Sequence, residues 1–303
     1  MIRNIWRKSS RWFNNQSGLR LSTAHLLRLK AKMMRRNPSD LTPYDAATAF
    51  ARKGALTSAA DFAGISPLLT RLQPGTPSKA LFHGVIVETR EHPNLIPVIE
   101  SFLVNTDMKI QIFHGEENEE FVKTNLAEYE DTRLEFVRLP ITTLNAAHYN
   151  ALMMSKEFWT AVSGRKKVLI FQTDTYACAA SDYRIEDFRD FDYIGSFWPR
   201  KRPIGITCDG GNGGLSLRDW SKTLQCLDRF PPERWPGGED GYFAFHIDLM
   251  GCRVGKPRDC AKFGTQYRFF EKSWGAHKLS QLPTEELAEF LEYCPPAARL
   301  LEG

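Results

Sequence analysis

The rhythm of hydrophobic and polar positions changes near residue 80. From Ala80 to Val87 the chain reads ALFHGVIV, a short apolar run suited to a buried strand. Over Pro93–Val104 the apolar positions Leu95, Val98, Ile99, Phe102 and Leu103 share one helical face. The alternation continues with a strand over Met108–Phe113, an acidic amphipathic helix over Glu116–Glu130 and a strand over Arg133–Leu139. Asn145 can then cap a helix on which Tyr149, Leu152 and Met153 recur at helical spacing. Lys166–Gln172 (KKVLIFQ) is the next strand, with Val168–Phe171 continuously apolar, as expected when both faces are covered. Such alternation predicts an α/β domain with a mainly parallel sheet, whose ligands collect at the carboxyl ends of the strands.

Upstream the pattern differs. Residues 41–72 read as short helices broken at Gly54, Gly64 and Pro67, and Gln73-Pro74-Gly75-Thr76-Pro77-Ser78 is a turn-rich joint where the main domain boundary is expected. The expected organisation is a basic amphipathic arm over 1–40, short helices and a linker over 41–78, an α/β body over 79–282 and a C-terminal helix or tail over 283–303. A chain of 303 residues slightly exceeds what one core supports, in keeping with a large domain plus an extension. No repeat and no long low-complexity segment is visible.

Charge sharpens this division. Residues 1–40 hold ten Lys/Arg and a single acid, Asp40, a local charge of +9 within a total of +4, so the body is mildly acidic. Ile5, Trp6, Trp12 and Phe13 lie among Arg3, Arg7, Lys8 and Arg11, and Leu26, Leu27 and Leu29 among Arg28, Lys30 and Lys32. The arm lacks an apolar signal region, and no run approaches the length of a spanning helix. Residues 1–36 suit the surface of an anionic bilayer; a solvated tail, a docking helix, an organelle presequence or a nucleic-acid arm are the alternatives. Charge without a binding fingerprint supports no specific nucleic acid. The six cysteines form no CxxC pair or close ladder and read as reduced thiols, so the expected location is the cytoplasm, with peripheral contact at the inner face of the cell membrane.

Candidate chemistry sits where strands end. The first strand runs into Glu88-Thr89-Arg90 and the fourth into Gln172-Thr173-Asp174-Thr175. Asp174 can hold a hard divalent cation that bridges nucleotide phosphates, or can serve as a turn or helix cap. Residues 210–218 read GGNGGLSLR, where paired glycines leave room for a bulky ligand or form an ordinary hairpin. In the segment from Arg234 to Phe243, Glu239 and Asp240 precede a helical face of Tyr242, Phe245, His246 and Leu249. They are reactive carboxylates or simply complements to the helix dipole. His277, after Trp274 and Gly275, is a ligand or a surface or core group. Trp198, Trp235 and Trp274 are core residues or platforms for sugar rings, and Trp235, four residues before the acid pair, is the expected acceptor platform.

In this order the motifs resemble a GT-A glycosyltransferase, in particular a largely bacterial glycosyltransferase-like family marked by FQTD, DYIG(S/A)xW, GNGGLSLR, ED and GxHK segments. Here these are Phe171–Asp174, Asp192–Trp198, Gly211–Arg218, Glu239-Asp240 and Gly275–Lys278. A looser similarity runs to beta-1,4-galactosyltransferases, through Gly213-Gly214-Leu215-Ser216 and Trp235-Pro236-Gly237-Gly238-Glu239-Asp240. The likeness covers about residues 80–280. It implies a GT-A-like (Rossmann-like) mixed, mainly parallel sheet flanked by helices, with the basic helical N-terminal extension outside it.

Carried over residue by residue, the resemblance implies that Asp174 is the last carboxylate of a DxD-type element, binding Mn²⁺ or Mg²⁺ beneath the donor diphosphate. Gln172 stands where that element begins with an acid, and its amide oxygen can ligate but adds no charge. His277 would complete the set, and an imidazole favours Mn²⁺. Lys278 would help stabilise the leaving group, Asp240 would be the general base and Glu239 would orient hydroxyls. Gly213 and Gly214 would line the donor sugar, while Thr89, Arg90, Tyr149 and Asn150 are placed by position at the nucleotide wall. One base without a covalent nucleophile favours an inverting transfer from a nucleotide sugar, expected to be a UDP-sugar, and the basic arm points to a glycan or lipid-linked acceptor of the cell envelope. The alternatives are a catalytically silent nucleotide-sugar-binding or scaffold protein, for which Gln172 speaks, and a metal-dependent nucleotidyltransferase or phosphohydrolase.

Overall fold

The computed structural model describes residues 21–37, 57–129, 132–199 and 206–302. The basic segment before Leu21 and the helices expected over 41–56 lie outside the described residues.

Six strands form the central sheet: β1 (Phe82–Glu88), β2 (Lys109–His114), β3 (Leu134–Arg138), β4 (Lys167–Phe171), β6 (Tyr193–Ser196) and β7 (Asn212–Asp219). Their order is β3-β2-β1-β4-β7-β6. The first four are parallel, and β7 runs antiparallel to both β4 and β6. A small second sheet has the order β5-β9-β8, from β5 (Thr175–Ala177), β9 (Gly275–His277) and β8 (Gly264–Thr265). The chain is therefore a mixed α/β protein with a mainly parallel sheet, as its alternation predicts.

Strand periodicity divides the core in two. Val85, Val87, Val168 and Ile170 point to one face and pack with Leu152, Phe158, Trp159 and Phe243 from the helices over Ala146–Met153, Lys156–Ala161 and Glu239–Leu249. Ile86, Ile110, Ile112, Leu169 and Phe171 point to the other and pack with Val98, Ile99 and Phe102 of the helix Leu95–Asn105. Each fully buried side chain of this size contributes roughly 1.5–3 kcal/mol.

Several boundaries move from the sequence expectation for local reasons. The helix expected over Glu116–Glu130 spans only Glu119–Asn125, followed by a 3₁₀ turn at Ala127–Tyr129. Asn118 is occupied elsewhere: its Oδ1 accepts from Gly115 N, and its Nδ2 donates to the carbonyls of Glu88 and Arg90. Gly64 and Pro67 do not break the chain, because one helix spans Ala59–Leu69. A capping box of Ser58 and Asp61 starts it, and Gly64 admits the His148 ring at a distance a Cβ would bring to 3.0 Å. Asn145 caps the helix Ala146–Met153 as expected, its side chain accepting from His148 N. All six cysteines are free thiols.

Candidate active site

Because β7 is antiparallel to β4, its amino end lies at the carboxyl edge of the parallel strands, where Phe171 pairs with Leu215. Asn212, Gly213 and Gly214 therefore stand beside Gln172, the residue that follows β4. Successive strand residues face opposite ways, and here both faces are in use. A Cβ on Gly213 would lie 2.2 Å from Glu239 Oε1 and 2.8 Å from Asp240 Cβ. A Cβ on Gly214 would lie 2.4 Å from His277 Nε2 and 2.6 Å from Gln172 Oε1. The glycine pair is thus the partition between an acid pair and a set of metal-type donors.

On the Gly214 side, His277 is fully buried on β9, and Asp174 follows the fourth strand in a turn where Thr175 N donates to the Gln172 carbonyl. β5 and β9 pair Thr175 with His277, which brings Asp174 to the imidazole. His277 Nδ1 lies 3.2 Å from both Gln266 Oε1 and Ser196 Oγ. Ser196 Oγ donates to Gln266 Oε1, and Gln266 Nε2 donates to Gln281 Oε1 at 2.7 Å. The acceptor Gln266 Oε1 favours the tautomer with its proton on Nδ1, which leaves the Nε2 lone pair facing Asp174 Oδ1 at 3.3 Å. Neither atom has a hydrogen-bond partner among the described residues, and both are buried. Two acceptor atoms facing each other call for a cation or a proton between them. With a proton there, burial still acts to raise the Asp174 carboxyl, but the protonated His277 and then Lys278 outweigh it and hold it below its ordinary value.

His277 Nε2 and Gln172 Oε1 converge where a Gly214 Cβ would collide, Asp174 Oδ1 faces the same imidazole nitrogen, and together these donors fit a divalent cation. Because Gln172 is an amide, no cluster of three or more His, Cys, Asp or Glu ligands occurs among the described residues. One carboxylate in the set lowers the charge offered to the ion, and the imidazole still favours Mn²⁺ over Mg²⁺.

On the Gly213 side, Glu239 and Asp240 occupy the first turn of the helix Glu239–Leu249, whose cap residue Gly238 supplies no side chain. Asn150 replaces it, with Oδ1 accepting from Glu239 N at 3.0 Å. The two carboxylates have different surroundings. Glu239 is buried, and its Oε2 lies 2.7 Å from NH1 of Arg218, which is wholly inaccessible. Burial alone would lower the Arg218 pKa, but Glu239 outweighs it and the value is raised, so the guanidinium stays charged. The rings of Trp159, Tyr193 and Phe243 surround that guanidinium. Asp240 is half-exposed, and its Oδ1 accepts from Gly241 N at 2.6 Å. Glu239 is held in an ion pair, and both carboxylates line the cleft.

That cleft, about 660 Å³, is lined by Glu88, Thr89, Arg90, Tyr149, Asn150, Gln172, Asp174, Trp198, Gly214, Trp235, Glu239, Asp240 and Lys278, among others. It gathers most of the residues singled out from sequence; His277 and Gly213 lie behind the lining rather than in it. Thr89 is almost fully buried, so its wall contribution is small, while Arg90 is pinned by Nε and NH2 to the Glu88 carboxylate. The Tyr149 hydroxyl has its pKa raised, chiefly by burial and then by Glu239. Lys278 N donates to the Asp174 carbonyl, and its Nζ stands 4.0 Å from Asp174 Oδ2. Trp235 is 1% exposed: its indole stacks on Phe245 at 5.6 Å and donates to the Gly238 carbonyl. It supports the wall from the core, leaving Trp198 as the half-buried indole of the lining. Trp274 packs on Phe102 and Phe263.

Arg218 and Gln266 were not singled out from the sequence. Arg218 carried a signal: in the LSLR part of GNGGLSLR it falls in register with Ser216, opposite Leu215 and Leu217, and a cation on a covered strand face requires a carboxylate. Gln266 carried none, since its partners come from distant segments.

The model of a family described as a protein of unknown function (DUF5672) matches residues 133–279, which contain Gln172, Asp174, the glycine pair, the acid pair and His277. No curated protein matches the chain. Among solved structures, a mannosyltransferase of Pyrobaculum calidifontis in complex with GDP-Man and Mn²⁺ is 15% identical, with a TM-score of 0.39 over 86% of each chain. The glycosyltransferase GlyE of Streptococcus pneumoniae, in its apo form, is 12% identical with a TM-score of 0.43 over 74% of this chain and 63% of that one. Core-mannan synthase A of Aspergillus fumigatus, in an Mn/GDP form, is 12% identical with a TM-score of 0.38 over 58% and 72%. At these values the reading of the site rests on its own residues.

Proposed function

We propose that this protein is a GT-A-like glycosyltransferase that moves a sugar from a nucleotide-sugar donor to a hydroxyl acceptor with inversion. Asp174, His277 and Gln172 would hold Mn²⁺, and Asp240 would be the general base. The observation that carries the reading is the β7 glycine pair, with His277 Nε2 and Gln172 Oε1 against one face, a carboxylate pair against the other, and the His277 Nε2 and Asp174 Oδ1 atoms facing each other buried and unsatisfied. That juxtaposition suits a reaction with a diphosphate leaving group on one side and a deprotonated nucleophile on the other.

Breaking the anomeric bond builds negative charge on the diphosphate, and a bound cation supplies Lewis-acid stabilisation there. Lys278, held at the rim by its backbone bond to Asp174, adds a second positive charge. Asp240 accepts the acceptor hydroxyl's proton, while Arg218 holds the Glu239 carboxylate in place, aimed at donor or acceptor hydroxyls. Arg90 and Tyr149 flank the nucleotide. A UDP-sugar donor rests on the motif resemblance, and a cell-envelope glycan or lipid-linked acceptor rests on the basic arm of the sequence.

A second reading, a nucleotide-sugar-binding protein without turnover, is favoured by one observation: the amide of Gln172 in place of a carboxylate. Product analysis with a panel of nucleotide sugars, using water or a sugar acceptor, separates the possibilities. Release of a nucleoside diphosphate that Asp240→Asn abolishes while donor affinity persists supports transfer. Pyrophosphate release indicates a nucleotidyltransferase, and binding without any product indicates the silent protein.

A further inference from the structure

The helix Thr23–Met34 is apolar on two opposite faces. It starts at Ser22, whose hydroxyl receives a bond from His25 N and donates to Asp248 Oδ2 at 2.5 Å. Arg28 NH1 meets the other oxygen of Asp248 at 2.8 Å, and Thr23 N donates to the Thr207 carbonyl. Ala24, Leu27, Arg28 and Ala31 recur on the face seated against the helix Glu239–Leu249, with both alanines buried. At roughly 100° per residue, Leu26, Leu29 and Met33 lie on the opposite side. They are 52%, 44% and 85% exposed. Leu21 and Met34 are exposed as well, so five of the eight large exposed hydrophobic residues among the described ones fall within these fourteen positions. Lys30, Lys32, Arg35 and Arg36 are exposed around the stripe, and residues 21–37 contain no carboxylate.

We infer that this outward face is a docking surface for an anionic lipid bilayer, on which the helix lies parallel to the plane. The inference is independent of the reaction proposed above. The stripe from Leu26 to Met33 is only about 10 Å long. A stable protein interface needs about 800 Å² per partner, far more than three side chains provide, whereas a lipid surface needs no matching shape. A second copy seated through the same face would oppose like charges. An anionic headgroup layer supplies both the counter-charge and an apolar boundary for the leucines and methionine. Ser22, Arg28 and Asp248 then act as the rivet that couples the membrane-facing helix to the body.

The test is co-sedimentation of the full chain with phosphatidylglycerol–phosphatidylcholine vesicles and with pure phosphatidylcholine vesicles, at low and high salt. Preferential, salt-sensitive binding to the anionic vesicles is expected. Lys30→Gln with Lys32→Gln should weaken it about 25-fold, at about fivefold per cation. The variant Leu26→Ser with Leu29→Ser and Met33→Ser should weaken it by at least about tenfold. These positions are exposed, and unchanged thermal melting verifies folding. Equal binding to neutral vesicles, or no binding to anionic ones, overturns the inference. So does vesicle binding that survives the triple substitution but is lost on deleting residues 1–20, because those residues would then be the contact. A wild-type dimer in sedimentation velocity that the triple substitution dissociates, or retention by an acidic polypeptide but not by vesicles, likewise overturns it.

Discussion

Replacing Gly214 by alanine probes the site at the point where its donors meet. The new methyl would lie 2.4 Å from His277 Nε2 and 2.6 Å from Gln172 Oε1, so at least one group must retreat. Restoring ordinary contact requires a shift of roughly 0.8–1 Å, and a misplacement of that size is worth about 100-fold at a reacting or binding centre. His277 has nowhere to go: it is fully buried, its Nδ1 is held by Gln266 and Ser196, and its strand is paired with Thr175. The overpacking itself costs about 1–3 kcal/mol, which a domain of ordinary stability tolerates. The expected outcome is a Mn²⁺ affinity about 100-fold weaker in an otherwise folded variant. Electron paramagnetic resonance titration of Mn²⁺ in the presence of a nucleoside diphosphate reads the affinity, and near-ultraviolet circular dichroism reads the fold. Wild-type affinity in a folded Gly214→Ala variant would refute the assignment of Gln172, Asp174 and His277 as one donor set.

Other predictions follow from the same geometry. Asp240→Asn should lower kcat by about 10²–10⁴ with donor Kd unchanged, whereas a loss of donor binding would point to a structural role. Arg218→Met leaves Glu239 buried without its partner and should cost about 3–5 kcal/mol in urea unfolding, and adding Glu239→Leu should recover most of it. Gln266→Leu removes the acceptor for His277 Nδ1 and should weaken Mn²⁺ binding about 10–100-fold with little change in melting temperature. His83 is buried, and burial, then Lys109 and Arg165, pull its pKa down from 6.5 to about 4. The unfolded chain takes the proton first, so this stabilising share is complete above pH 6.5 and is lost as the pH falls towards 4, about 3 kcal/mol in all. His83→Gln should flatten unfolding free energy against pH across that window.

The sheet was legible because its strands are covered on both faces. Val168–Phe171 and Val85–Val87 read as strands without any partner being known, and Asn145 announced the helix it caps. What sequence could not supply was the use of side chains between segments. Asn118 shortens the acidic helix because it ties two strand ends together, and Gly64 stays helical because His148 packs on it. Within the site, Asp174, the glycine pair and the acid pair were visible as residue types after strands or at a helix start. Their division of labour was not: Glu239 differs from Asp240 through Arg218, and His277 owes its orientation to Gln266, 11 positions away. Trp235 has the position of a platform in sequence, but the stack on Phe245 uses its face.

The central claim is that Asp174, His277 and Gln172 form a cation-dependent nucleotide site. Calorimetric titration of the full chain with a panel of nucleoside diphosphates, with and without Mn²⁺, tests it without knowledge of the acceptor. The account predicts that one nucleotide binds only in the presence of Mn²⁺ and that Asp174→Ala abolishes this binding in a folded protein. Binding that ignores the metal and the substitution, or no binding by the folded wild type under any condition, would contradict it.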